Sequence, residues 1–126
     1  MSTNTQSVST PRSGEGTWLW LLKILTGILL VVLLFIHLLV NHFLSQHGLM
    51  TYADIVAYYQ NPIIPIMEIC LLASVVFHSL TGLRGIILDL KPALSLLKII
   101  DVVLVTIGVV TVVYGIWLVS VIASRG

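Results

Sequence analysis

Phe77-His78-Ser79-Leu80-Thr81-Gly82-Leu83-Arg84-Gly85-Ile86-Ile87-Leu88-Asp89 sets a histidine, an arginine and an aspartate in a stretch otherwise apolar enough to span a bilayer. Such groups are costly in hydrocarbon, so each needs a partner inside a bundle or at the interface. On a helix, residues recur on one face at steps of three or four. His78, Gly82, Gly85 and Asp89 follow steps of four, three and four and form one stripe. Beside the histidine the stripe carries glycine instead of bulk, so a flat macrocycle fits there with its iron on the imidazole. Asp89 lies about 16 Å further along the axis, near the membrane surface. The layout suggests a buried redox centre with a polar reaction site beside it.

The rest of the chain supports a membrane setting. At 126 residues it is one domain. It is 58% hydrophobic and 9% charged, with a mean hydropathy of +1.10. The net charge of +1 offers no basic field for nucleic acid and no acidic tail. The single Cys70 lies in an apolar run and supports no disulfide framework. Three apolar segments, about 18–44, 63–88 and 94–122, each exceed the roughly 20 residues a spanning helix needs. The expected fold is an all-α membrane protein with three transmembrane helices. The first segment is too long for a cleavable signal peptide, and no small-residue cleavage site follows it. Residues 1–16 are rich in Ser, Thr and Gly and read as a flexible tail, with 17–124 as the three-helix anchor. Between the first two spans, Met50 to Tyr59 reads as a short surface helix that stops before Pro62. Pro62 and Pro65 suit the first turn of the second span, and Lys91-Pro92 ends it.

Basic residues set the expected orientation. Arg12 and Lys23 lie at the N-terminal side, and Lys91 and Lys98 at the second connection. The first connection, Ser45 to Pro62, has neither Lys nor Arg. The N-terminus is therefore expected in the cytoplasm and the C-terminus outside, with Arg125 a weak counter-signal.

Two readings stand for His78: a haem ligand near mid-bilayer, or a histidine hydrogen-bonded to a neighbouring helix. His37, about 30 Å of helix from Thr17, lies nearer the outer side. It shares a face with Thr26, Leu33 and Asn41, and reads as a second haem ligand or a packing residue. His42 and His47 read as residues near water. Arg84 and Asp89 sit at the cytoplasmic interface. There they suit a haem propionate or a quinone oxygen, or form a snorkelling pair that anchors the helix end. Lys23 and Thr26, on the same side, are candidates to line a quinone pocket. Gly108, Thr111 and Gly115 form a small-residue packing face. No nucleophile–base pair, phosphate loop or cysteine cluster occurs, so the chain carries no complete catalytic site.

The pattern His78-x3-Gly82-x-Arg84-x4-Asp89 resembles the second helix of the membrane anchor subunits of succinate dehydrogenase and fumarate reductase, respiratory complex II. Leu25-Thr26-Gly27 and Ile36-His37-Leu38-Leu39-Val40-Asn41 look like the first helix of such anchors. The resemblance covers roughly residues 18–122. It implies haem b on His78, with Gly82 and Arg84 beside it, and a second haem on His37 in members with two. It also implies a quinone site near Asp89, Arg84, Thr26 and Lys23. The implied partners are a second anchor subunit, which completes the helical bundle, an iron–sulfur subunit and a flavoprotein. The implied location is the inner (cytoplasmic) membrane. Two positions depart from the family pattern. Leu90 stands where many members have a quinone-contacting tyrosine, and Ile24 where many have an arginine.

The function expected is electron transfer from succinate, oxidised by the soluble subunits, to a membrane quinone beside this anchor. The rivals are the cytochrome b subunit of another quinone-linked oxidoreductase and a haem-free structural membrane subunit.

Overall fold

The computed structural model describes residues 16–44 and 50–125. Its four helices are α1 (Thr17–Leu44), α2 (Tyr52–Tyr59), α3 (Ile63–Asp89) and α4 (Leu94–Ala123). Helices α1, α3 and α4 are long and apolar enough to cross a membrane, within a residue or so of the expected spans. The short helix before Pro62 is present as α2. The tail before residue 16, and His47, lie outside the described residues.

Local chemistry explains the boundaries. Thr51 opens α2 with a capping box: its hydroxyl accepts from the Asp54 N–H, and Asp54 accepts from the Thr51 N–H at 2.8 Å. Pro62 precedes the first turn of α3 and Pro65 sits within it, where a missing N–H is no loss. The Asn61 side chain accepts from the Ile63 N–H at 3.1 Å. At the other end Leu90 caps α3, and Lys91 turns the chain with φ 50° before Pro92. The Lys91 N–H donates to the Leu88 carbonyl at 3.0 Å. A left-handed lysine is strained by roughly 1–2 kcal/mol, and Pro92 then prevents the helix from continuing.

Helix α3 is the centre of the molecule, packed against both α1 and α4. Its buried residues Ile64, Met67, Leu71 and Ser74 recur at steps of three and four. The same spacing leads on to His78. Helix α4 has no buried residue, and large apolar side chains are exposed along α1 and α4. These faces need lipid or other helices around them. Gly108 and Gly115 of the small-residue face do meet α3. A Cβ on Gly108 would lie 2.9 Å from Leu80 Cδ1, and one on Gly115 would collide with Leu72. Thr111 between them is exposed.

Candidate functional site

At mid-helix, α3 presents His78 to the backbone of α1. Its Nδ1 lies 3.1 Å from the Lys23 carbonyl oxygen and 3.5 Å from Thr26 Oγ1. A carbonyl only accepts, so Nδ1 carries the proton and donates. In the neutral ring this leaves the lone pair on Nε2, which has no hydrogen-bond partner among the described residues. The Thr26 hydroxyl donates back to the Leu22 carbonyl at 2.8 Å. The imidazole reaches this backbone because Gly27 has no side chain. A Cβ there would come within 3.1 Å of His78 Cε1 and 3.5 Å of Nδ1. Sequence reasoning placed the critical glycine on the histidine's own helix, at Gly82. A Cβ on Gly82 meets nothing within 4 Å, so that position is open space beside the ring, and Gly27 is the notch. The structure thus brings His78, Lys23 and Thr26 together from two helices.

Arg84 corrects an expectation. The sequence suggested a pair with Asp89, five residues along the same helix. Five steps turn a helix by about 140° from the starting face, so the two side chains diverge. Arg84 instead reaches α4, where Nε donates to Asp101 Oδ1 at 2.7 Å and Nη2 to Oδ2 at 3.1 Å. This is the two-pronged geometry that guanidinium and carboxylate favour. Asp89 closes α3 at its exposed end. The Arg84–Asp101 pair and Thr81 line one part of a cavity of about 770 Å³, whose other walls are mainly apolar and include Leu19, Phe77, Leu80 and Val105.

A second polar cluster lies about 15 Å along α3 from His78. There His37 Nδ1 meets Glu68 Oε1 at 2.8 Å, and the Tyr58 hydroxyl donates to the same oxygen at 3.1 Å. The Glu68 side chain is only 13% exposed, so three helices (α1, α2 and α3) close around one carboxylate. Burial first, then the charge of Glu68 and the hydrogen bond to it, push the Tyr58 phenol well above its ordinary pKa. Burial, followed by the same charge, raises neighbouring Tyr59. Asn41, one turn beyond His37, donates to the His37 carbonyl at 2.7 Å. His42 is exposed, its ring edge-on to Phe43.

Sequence reasoning missed both carboxylates, Glu68 and Asp101. The available signal was their presence as single acids inside apolar spans, which by itself marks a residue with a partner.

Residues 1–116 match the family of succinate dehydrogenase/fumarate reductase transmembrane subunits. The chain belongs to that family. Among similar proteins, it is 36% identical over 78 residues to the succinate dehydrogenase 2 membrane subunit SdhC of Mycobacterium tuberculosis. That match covers 62% of this chain and 57% of the relative. It is also 36% identical over 70 residues to the succinate dehydrogenase hydrophobic membrane anchor subunit of Archaeoglobus fulgidus, covering 56% of this chain and 59% of that one. The matched region therefore spans a little over half the length of each relative. No solved structure matches the chain significantly.

Proposed function

We propose that this transmembrane subunit anchors a succinate:quinone oxidoreductase, holds haem b on His78 and helps to form its quinone site. The observation that carries the reading is the Nδ1 bond from His78 to the Lys23 carbonyl, made possible by Gly27. Metal-bound histidines commonly donate their second ring nitrogen in this way, which fixes the tautomer and turns the other nitrogen to the metal. The open space at Gly82 suits a flat macrocycle. A haem so held supplies one-electron transfer, with its potential tuned by its ligands and surroundings.

This chain's residues do the rest. Lys23 and Thr26 hold the imidazole, Arg84 offers charged donors for a propionate or quinone oxygen, and Asp89 holds water or relays a proton at the membrane edge. His37 is a candidate for a second haem. Three helices with so much exposed apolar surface cannot enclose a macrocycle alone. A second anchor subunit would complete the bundle and supply a second histidine to the haem iron, and iron–sulfur and flavoprotein subunits dock on the cytoplasmic side. The tail before α1 lies in the cytoplasm and the complex in the inner membrane.

The test uses the purified complex. His78→Ala should remove or alter a bis-imidazole b-type spectrum; an unchanged spectrum and potential reject ligation. Asp89→Asn should slow succinate-to-quinone turnover and leave succinate oxidation by a soluble dye intact. Equal loss of both activities would mark Asp89 as an assembly residue.

A further inference from the structure

Glu68 is an acid within a spanning helix, and the proposed electron path through His78 does not use it. Its Oε1 accepts from two donors on two different helices, His37 on α1 and Tyr58 on α2. The two hydrogen-bonded side chains differ in exposure: Glu68 is 13% exposed and His37 31%. The carboxylate is thus enclosed while part of the imidazole still faces outward. With Nδ1 donating to Glu68, the neutral ring has its lone pair on Nε2, which has no hydrogen-bond partner among the described residues.

We propose that Glu68 is a positioning residue for His37, fixing the ring by its Nδ1 so that Nε2 is presented as an iron ligand, with Tyr58 holding the carboxylate in place. This rests on the reading of His37 as ligand to a second haem. It assigns that haem a different support from the first: His78 leans on a neutral backbone carbonyl, His37 on a carboxylate. A negative charge behind an axial imidazole raises the ligand's basicity and favours oxidised iron. A haem on His37 would thus be biased toward its oxidised form by this contact.

The experiment measures haem per complex, the low-spin ferric electron paramagnetic resonance signals and both midpoint potentials, in wild type and in Glu68→Gln, Glu68→Ala, Tyr58→Phe and His37→Ala. Glu68→Gln keeps the shape and an acceptor but removes the charge. It should retain both haems and favour reduction of one of them about tenfold, which is 59 mV for one electron. Glu68→Ala should weaken retention of that same haem by about 10–100-fold. Tyr58→Phe removes a donor that draws on the same carboxylate oxygen, so it should shift that haem in the opposite direction to Gln and by less. The haem on His78 should not move in any of the three. Two haems at wild-type potentials in both Glu68 variants would overturn the proposal while leaving His37 a ligand, provided His37→Ala removes one haem. A complex with a single haem that survives His37→Ala overturns the ligand reading, and the proposal with it. Failure of the isosteric Glu68→Gln complex to assemble at all would make Glu68 a helix clamp and equally overturn it.

Discussion

The two ends of the helix trio use the same side chain in opposite ways. Toward the cytoplasmic end, as proposed, His78 is held by the Lys23 backbone carbonyl, an acceptor that cannot gain or lose a proton. Toward the other end, His37 is held by the Glu68 carboxylate, shared with Tyr58. A peptide carbonyl fixes a tautomer and adds no charge, whereas a carboxylate fixes it and adds a full one. Charge does appear near His78, at Arg84, but there it is matched by Asp101 on the next helix. The difference teaches that a histidine within a span says little by itself. What stands behind its second nitrogen decides its electrostatic character.

The sharpest way to break the cytoplasmic end is to remove the acid that balances Arg84. Asp101→Leu takes its matched carboxylate from the Arg84 guanidinium, and a charged base costs up to about 2.5–3.5 kcal/mol near the middle of a span and less toward its edge. The complex should assemble poorly, seen as lost yield and lower melting temperature after detergent extraction. Exchanging the charges, Arg84→Asp with Asp101→Arg, should recover part of the loss. No recovery would mean that the pair is incidental to the packing of α3 on α4.

Two glycines sharpen the comparison further. Gly27→Ala places a Cβ 3.1 Å from the His78 ring, so the imidazole must shift by a few tenths of an ångström. Overpacking of this kind typically costs about 1–3 kcal/mol, and the proposed haem spectrum should change with it. Gly82→Ala meets no protein atom within 4 Å. In the bare chain it should be neutral, or helpful by up to about 1 kcal/mol through helix propensity. If Gly82→Ala lowers haem content while the helices remain as stable, a cofactor occupies that space; unchanged haem content would move the macrocycle elsewhere.

The smallest effect expected is a pH dependence at the other end. The Tyr58 phenol titrates well above its ordinary value because burial and Glu68 disfavour the phenolate. A group whose folded pKa is raised contributes stability that is fully present below its unfolded value, near 10 for tyrosine, and is lost as pH rises toward the folded value. Stability should thus be insensitive to Tyr58 below about pH 10 and should fall above it. Tyr58→Phe should flatten that fall. An identical alkaline slope in the variant would show that Tyr58 is not the group responsible.

Much of the fold was legible because hydrophobic length is a one-dimensional signal. The spans could be read from runs of apolar residues, and α2 from the stretch Met50 to Tyr59 that stops before Pro62. The stripe through His78 was legible too, since it follows helical steps on one chain. The partners were not. Glu68 and Asp101 each sit alone in an apolar run, and nothing in local spacing tells which helix they will meet. Arg84 shows the error this invites: its nearest acid in sequence is Asp89, but helix geometry turns that residue away and brings Asp101 across from α4. The role of Gly27 as the notch was missed for the same reason, because the ring it accommodates belongs to a residue 51 positions later.

The tight turn at Leu90 to Ala93 also decides which charges of the two spans can meet. Asp101 lies early in α4, in a helix with no buried residue, so α4 threaded by itself would carry a bare acid toward the lipid. Arg84, on α3 without α4, would lack the Asp101 carboxylate that balances it here. Only when the left-handed Lys91 has folded α4 back against α3 do the two neutralise each other. The turn at Lys91 is thus more than a reversal of the chain: it is what lets an acid and a base on two separate spans meet as one neutral pair.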